Sequence, residues 1–432
     1  MSKSTTLDFT SWTSEQWRLF IITSISFLID GLIFSISPLI IYSINTLVKY
    51  ATYILGINMI FWTLGSILLG RLGDIIGRKL TFLIVLILEF LSIGLLYIFY
   101  TNVILFTFLT SLACFSIGGE FGAAFSAIAE LTPPDHRGKA ILLASNFWNL
   151  GAVIISSLSL LYKYFINPIL QIKYLLASTL VIVVLTGFAR IGFPESIRWL
   201  VIKGRIDDVK RILLKYNIKL DDNVLNEYKV KHNVSIGKIF SKYSYRIAIL
   251  LILTIAVYVT YFIPTFYLPY TPDFPFSYNT IPLIILISNL GSFIGAFLLI
   301  PIIDRGRRIS TFISLLGGFI TALIMIFSIV FKNIYIFLIT LFWNMVFSQW
   351  SWSCISALQS ELFPTGVRST IIGFFVSFEG ILTAILTFLE AFLTASICMT
   401  IIALLWLAGL IASLSWLIRG VESARISVDL LV

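Results

Sequence analysis

The chain has 432 residues, of which 59% are hydrophobic and only 12% charged, with a formal net charge of +9. Soluble domains carry about twice that share of charge, so a disordered chain, a nucleic-acid binder and a soluble multidomain enzyme are excluded. In so apolar a chain, the positive surplus is read by where it falls relative to a bilayer.

Apolar runs long enough to cross a membrane recur along the whole length. Twelve are expected, centred near Ile29, Ile60, Leu88, Cys114, Val153, Val181, Val257, Ile287, Ile320, Met345, Gly380 and Leu405. The residues ahead of the first, Ser2 to Trp17, lack a cleavable signal pattern, so this run counts as span 1. One sizeable hydrophilic stretch, Pro194 to Arg246, interrupts the series. With the N-terminus inside, the even-to-odd connections, that stretch and both tails hold 25 of the 30 lysines and arginines. The other side holds Lys49, Lys163, Lys173 and Lys332, while Arg190 lies near the inner end of span 6. This bias predicts a multi-pass protein of the cell (plasma) membrane with both termini cytoplasmic. Cys114, Cys354 and Cys398 fall inside spans without metal spacing and read as packing residues; no metal or cofactor is expected.

An internal repeat organises the chain. Glu130-Leu131-Thr132-Pro133-Pro134-Asp135-His136-Arg137 after span 4 and Glu361-Leu362-Phe363-Pro364-Thr365-Gly366-Val367-Arg368 after span 10 both read E-L-x-P-x-x-x-R. Asp74 with Gly77-Arg78-Lys79 after span 2 is echoed by Asp304 with Gly306-Arg307-Arg308 after span 8, at nearly the same offset. Two motifs repeating in step predict two six-span halves, residues 1–193 and 245–432, joined by a cytoplasmic linker, 194–244. The linker is periodic at Ile206 to Tyr216 and Leu225 to Ile239, which predicts short amphipathic helices on the inner membrane surface. Its basic balance suits anionic lipid.

These residues resemble the major facilitator superfamily over nearly the whole chain. Gly70-Arg71-Leu72-Gly73-Asp74-Ile75-Ile76-Gly77-Arg78-Lys79 fits its G-x-L-x-D-x-x-G-R-K loop at every fixed position. Pro194-Glu195-Ser196-Ile197-Arg198-Trp199-Leu200 and Gly420-Val421-Glu422-Ser423 resemble blocks of the sugar-porter branch. Gly118-Gly119-Glu120-Phe121-Gly122-Ala123-Ala124 resembles metabolite:proton symporters. The resemblance implies an all-α integral membrane fold of 12 transmembrane helices in two six-helix bundles. It also implies that spans 1, 4, 7 and 10 line a cavity while 3, 6, 9 and 12 lie outside. Span 7 lacks the glutamine pair of hexose porters, and span 5 lacks the drug-antiporter motif.

Ionisable residues inside spans are costly and mark function by default. Asp30 and Glu120 are the leading candidates for proton coupling, followed by Glu379 and then Glu89. All four are acids, which disfavours a fixed anion site and suits a neutral or cationic solute. Asn58, Asn146, Asn149, Tyr258, Tyr261, Asn289, Asn344, Gln349 and Trp350 are candidates for a polar-aromatic substrate pocket, although each amide alone reads more simply as packing. Most other aromatics are expected at lipid-facing or interfacial positions. A cytoplasmic gate is expected from Asp74, Gly77, Arg78, Glu130, Arg137, Glu195 and Arg198 in one half, with Asp304, Arg307, Glu361 and Arg368 in the other. As exposed ion pairs these contribute about 0–1 kcal/mol each.

The resulting expectation is a secondary active transporter using alternating access. Its partners are a small organic solute (sugar, sugar acid or similar), protons and the lipid bilayer, without nucleic acid, and it acts as a monomer. A uniporter or organic-cation carrier is the alternative within transport. A non-transporting sensor, a membrane enzyme and a channel fit the residues less well.

Overall fold

The computed structural model describes residues 12–190, 192–215 and 236–431. It is built from α-helices with short π and 3-10 turns. The long helices, in chain order, are α1 Ser14–Ile41, α2 Ala51–Ile76, α3 Arg78–Phe99, α4 Val103–Leu131, α5 Arg137–Phe165 and α6 Pro168–Arg190. They continue as α7 Ser244–Phe262, α8 Ile281–Leu299, α9 Arg307–Val330, α10 Ile334–Glu361, α11 Arg368–Leu389 and α12 Ala395–Arg419. Among the described residues, 11 helices are long and apolar enough to cross a membrane, and α6 adds a shorter apolar stretch, Leu170–Leu185. The 12 expected spans thus correspond to α1–α12.

Polar residues set the helix starts. Thr13 and Gln16 form a reciprocal capping box at α1, with Gln16 accepting from the Thr13 N–H at 2.9 Å. Asn102, Asn333 and Thr394 cap α4, α10 and α12 through their side-chain oxygens. Helix α7 departs from regular geometry: it runs on as a π turn, Ile263–Tyr267, and a 3-10 turn, Leu268–Tyr270. Pro264 and Pro269 bring no N–H to the ladder there, which explains why the α pattern stops.

Helices α1–α6 and α7–α12 form two bundles that meet along two seams, α2 against α11 and α5 against α8. The first seam is tight because Gly70 and Gly373 face each other; a β-carbon at Gly373 would collide with the Ser66 carbonyl oxygen. The turns α2–α3, α4–α5, α8–α9 and α10–α11 share one end of the molecule, here called the basic end. The linker contributes helices Ile197–Ile202, Ile206–Lys215 and Ile236–Lys242. The expected helix at Leu225 to Ile239 lies for its larger part outside the described residues. Cys114, Cys354 and Cys398 are free and buried.

Candidate functional site

At the basic end, the two copies of the repeated motifs interlock across the seam. Asp74, closing α2, accepts from both the backbone N–H and the hydroxyl of Thr370 at 2.7 Å, capping α11 of the opposite bundle. Its counterpart Asp304 accepts from the Gly138 N–H at 3.1 Å, at the start of α5 in the other bundle. Each carboxylate also meets the arginine of its own motif: Arg78 to Asp74 at 3.1 Å, Arg307 to Asp304 at 3.3 Å. A negative group beside the positive end of a facing helix is favourable electrostatics.

The glutamates and arginines of the E-L-x-P-x-x-x-R repeats cross over. Glu130 accepts from Arg78 at 3.0 Å within its bundle and from Arg368 at 2.9 Å across the seam. Glu361 takes two bonds from Arg307, at 2.9 and 2.7 Å, and a longer contact from Arg137 across the seam at 3.9 Å. Arg198 donates to the Glu130 carbonyl. A second pair of carboxylates steadies the frame. Glu195 accepts from the Arg78, Lys79 and Ser196 N–H groups at 3.1, 3.3 and 3.0 Å. Glu422 does the same for Arg307 and Arg308, at 3.0 and 3.3 Å. Burial pushes the Glu195 and Asp304 carboxyls above the usual carboxylate range, and the neighbouring N–H donors and arginines pull them only part of the way back. Gly77 adopts φ 101°, a backbone that favours glycine, and packs against the Glu195 carboxylate.

The expected gate residues therefore converge, with one change in their physics. They were expected as exposed pairs. Arg78, Arg137, Arg307, Arg368, Glu130 and Glu361 are instead each no more than 1% exposed. Removing one partner of a buried pair costs about 3–5 kcal/mol, against about 0–1 kcal/mol expected of exposed pairs.

Deeper in the first bundle, Asp30 of α1, Glu89 of α3 and Glu120 of α4 are fully buried, with carboxylate oxygens lying within 4.8 Å of one another. Glu89 was placed last among the acids because span 3 is peripheral in the family architecture. The structure turns its side chain inward to join the other two. The three carboxyls, from three different helices, thus form one compact acidic cluster inside the bundle. The oxygens also have the separations that ligands of a hard cation have. Glu379 sits elsewhere, on the α2–α11 seam. It accepts from the Trp62 indole N–H at 2.7 Å and from Thr383 at 3.4 Å.

Midway between the ends, the bundles meet through a neutral polar relay. The Trp148 indole N–H donates to the Tyr261 hydroxyl at 2.8 Å, and that hydroxyl donates to Asn289 at 2.7 Å. Asn149 donates to Gln349 across the seam at 2.9 Å and to Asn146 at 3.0 Å; Asn146 donates to the Phe293 carbonyl at 3.1 Å. Aromatic rings surround this relay. Tyr258 stacks on Trp352 at 4.6 Å, and Phe34, Trp62 and Trp148 lie in mutual ring contact at 5.4 to 6.1 Å. At the far end, the Tyr270 hydroxyl donates to the Pro38 carbonyl at 2.6 Å. Bonds thus cross between the bundles at both ends and in the centre, an occluded arrangement.

Three substrate candidates do not reach this relay. Asn58 bonds Ser37, Thr110 and Ser111 inside the first bundle. Asn344 bonds Gly318 and Thr321 of α9, and Trp350 bonds the Gly295 carbonyl of α8. Their polar groups serve helix packing. Aromatics such as Tyr164, Phe188, Phe331, Tyr335 and Trp343 are exposed, whereas Trp62, Trp148, Trp352, Trp406 and Trp416 are buried. Trp148 and Trp352 were missed as site residues. Their one sequence signal is position: Trp148 directly precedes Asn149, and Trp352 lies three residues after Gln349, about one turn further on a face already marked as inward.

Two repeated six-helix bundles, crossed at one end by a duplicated charge network and centred on a closed polar-aromatic relay, are those of a transporter of the major facilitator type rather than an enzyme. The chain belongs to the family described as sugar (and other) transporter, whose model matches residues 9–423. It is a multi-pass integral membrane protein. It is 26% identical over 370 residues to the Escherichia coli inner membrane metabolite transport protein YgcS, covering 82% of this chain and 79% of that protein. It is also 26% identical over 279 residues to the Acinetobacter baylyi niacin transporter NiaP, covering 60% of this chain and 61% of the relative. Its fold is similar to that of the proton:xylose symporter XylE bound to 6-bromo-6-deoxy-D-glucose, with a TM-score of 0.82 at 18% identity over 97% of this chain and 98% of the other.

Proposed function

We propose that this chain is a proton-coupled importer of a small organic metabolite, working by alternating access. The observation that carries the reading is the cluster of Asp30, Glu89 and Glu120, three buried carboxyls from three helices within 4.8 Å. A site that gains a proton on one side and loses it on the other couples uptake to the proton gradient, and buried carboxyls inside the membrane are groups suited to that exchange. Glu379, bonded to Trp62 across the seam, is a second exchangeable carboxyl whose protonation weakens a contact between the bundles.

The relay of Trp148, Tyr261, Asn289, Asn149, Asn146 and Gln349, with Tyr258 stacked on Trp352, is proposed as the substrate site. Neutral donors and acceptors between ring faces suit a polyol, a sugar or an amine, and a carboxylic acid in its protonated form. The buried arginines, Arg78, Arg137, Arg198, Arg307 and Arg368, all belong to the basic end, which leaves the described centre without a cation to hold an anion. The name of the niacin-transporting relative is compatible with a protonated acid.

The basic end is assigned to the cytoplasm of the cell membrane on the positive-inside bias, with both termini on that side. The chain acts as a monomer. The crossed pairs Glu130–Arg368 and Glu361–Arg137, with the caps Asp74–Thr370 and Asp304–Gly138, hold the cytoplasmic side shut and part when the bundles rock.

The substrate class is found by thermal-shift screening of sugars, sugar acids, amino acids and amines at two pH values. With the compound so found, Asp30→Asn or Glu120→Gln abolishes pH-driven accumulation in proteoliposomes while sparing counterflow. Accumulation surviving both changes refutes the assignment. Uptake that ignores the pH gradient in the unmodified protein supports a uniporter or organic-cation carrier. Accumulation driven by sodium at fixed pH assigns the carboxylates to a metal cation instead.

A further inference from the structure

The outer surface of the first bundle carries two cavities that no step of transport uses, and they lie about one helical turn apart. One, of about 410 Å³, opens at the basic end beside the linker and is lined by Arg18, Lys79, Glu195, Arg205 and Arg211, among others. The other, of about 370 Å³, is an apolar groove between α3 and α6, lined by Leu83, Leu86, Phe90, Val184 and Phe188 with their neighbours. On α3 the polar cavity ends at Lys79 and the groove begins at Leu83, one turn further on the same face. On α6 the groove ends at Phe188, four residues before Gly192 of the polar cavity. Phe90, Leu91, Val184 and Phe188 are exposed on the outside of the bundle, where the acyl chains of a bilayer lie.

The charges at the polar mouth are unevenly committed. Glu195 is spent on the start of α3, and Asp208 is held by Arg205 at 2.6 Å and Arg211 at 3.6 Å. Arg18 and Lys79 make no ion pair among the described residues and stand exposed at the mouth. Two uncommitted cations at the membrane–water boundary, one helical turn from an acyl-sized apolar groove, match one ligand chemistry: a phosphate monoanion carrying hydrocarbon chains.

We propose that the α3–α6 face binds an anionic phospholipid, its phosphate against Lys79 and Arg18 and one acyl chain in the groove between Leu86 and Val184. The site is independent of the transported solute and of proton coupling. The polar cavity is also lined by Asp208 and Arg211 of the linker helix Ile206–Lys215, and Lys79 follows directly on Arg78.

The test uses the purified full-length chain in neutral detergent. It is titrated separately with dioctanoyl phosphatidylglycerol, dioctanoyl phosphatidylcholine and glycerol phosphate, following the thermal midpoint and, by native mass spectrometry, the lipid retained. Phosphatidylglycerol is expected to raise the midpoint saturably, with phosphatidylcholine clearly weaker. A juxtamembrane base contributes about fivefold to anionic-lipid binding, so the double change Arg18→Ala with Lys79→Ala is expected to weaken it by about 25-fold. The exchange Arg18→Lys with Lys79→Arg keeps the charge and retains binding, which separates lost charge from lost folding. Val184→Trp, at a lipid-facing position, fills the groove and weakens phosphatidylglycerol specifically. Equal response to phosphatidylcholine overturns the proposal. So does glycerol phosphate binding as tightly as the lipid, which would make the site one for free anions, or unchanged lipid binding in both the charge-removing and the groove-filling variants.

Discussion

Glu130→Gln is the most informative single change at the basic end, because it removes a charge and leaves the side-chain shape. Glu130 accepts from Arg78 at 3.0 Å inside its own bundle and from Arg368 at 2.9 Å across the seam. The Arg78 contact persists whichever way the bundles rock, so only the Arg368 contact biases the conformational equilibrium. Breaking a buried pair by removing one partner costs about 3–5 kcal/mol. Arg368 keeps its bonds to the Phe363 carbonyl at 3.2 and 3.0 Å, which places the cost at the lower end of that range. At about 1.4 kcal/mol per factor of ten, a loss of about 3 kcal/mol moves the balance roughly 100-fold toward opening of the basic end. Ser369, fully buried in the seam against Gly73, is a suitable reporter position as Ser369→Cys. The native cysteines are buried and leave a low background. A membrane-impermeant maleimide applied from the basic side is expected to label the reporter roughly 100-fold faster when Glu130→Gln is added. A rate within about twofold of the parent, in a protein that melts cooperatively, would refute the claim that crossed charge pairs hold this end shut.

Other changes test the same frame. Glu361→Gln removes the charge and leaves Arg307 one of the two acceptor oxygens it now meets at 2.9 and 2.7 Å, and is expected to speed reporter labelling and lower the thermal midpoint while leaving substrate affinity by calorimetry nearly unchanged. Arg78→Met removes contacts to Asp74, Glu130 and the Thr365 carbonyl and should shift labelling in the same direction; unchanged labelling in both variants contradicts the gate. Gly77→Ala places a β-carbon on a backbone at φ 101° and against the Glu195 carboxylate, so a loss of at least about 1 kcal/mol is expected in thermal melts. Asp304 binds its proton more tightly folded than unfolded, so its contribution to stability is full below the ordinary carboxylate range and fades as pH rises through the raised value. Asp304→Asn should flatten the part of the melting profile that falls as pH rises above the ordinary carboxylate range.

The fold was legible because its signals are local. Apolar runs set the spans, and the paired E-L-x-P-x-x-x-R blocks announced the two bundles before any contact was known. The gate residues were legible for the same reason, since motif positions can be read one by one. Their partners were not. Glu130 and Arg368 stand 238 positions apart, and nothing in either motif states that the acid of one copy meets the base of the other. The error in energetics followed directly: loop charges look exposed in a sequence, whereas here two bundles close over them.

Inside the membrane the limit was rotation. Period and depth placed Glu89 within a span, but the peripheral place of span 3 made it the last of the four coupling candidates. The actual rotation of α3 brings Glu89 to Asp30 and Glu120. Asn58 and Asn344 show the converse. Amides at inward-looking positions were spent on Ser37, Thr110, Ser111, Gly318 and Thr321, because a buried amide takes the nearest partner. Trp148 and Trp352 were hidden among many aromatics, where composition alone favours the lipid boundary.

The central claim is that Asp30, Glu89 and Glu120 exchange the proton that drives uptake, and it is tested most directly by watching that proton. Proteoliposomes are loaded with a pH-sensitive dye, equilibrated without a pH gradient, and given the solute identified by thermal shift. The interior should acidify as solute enters through the unmodified protein and should not acidify with Asp30→Asn. Solute entry through the unmodified protein without acidification would contradict the account.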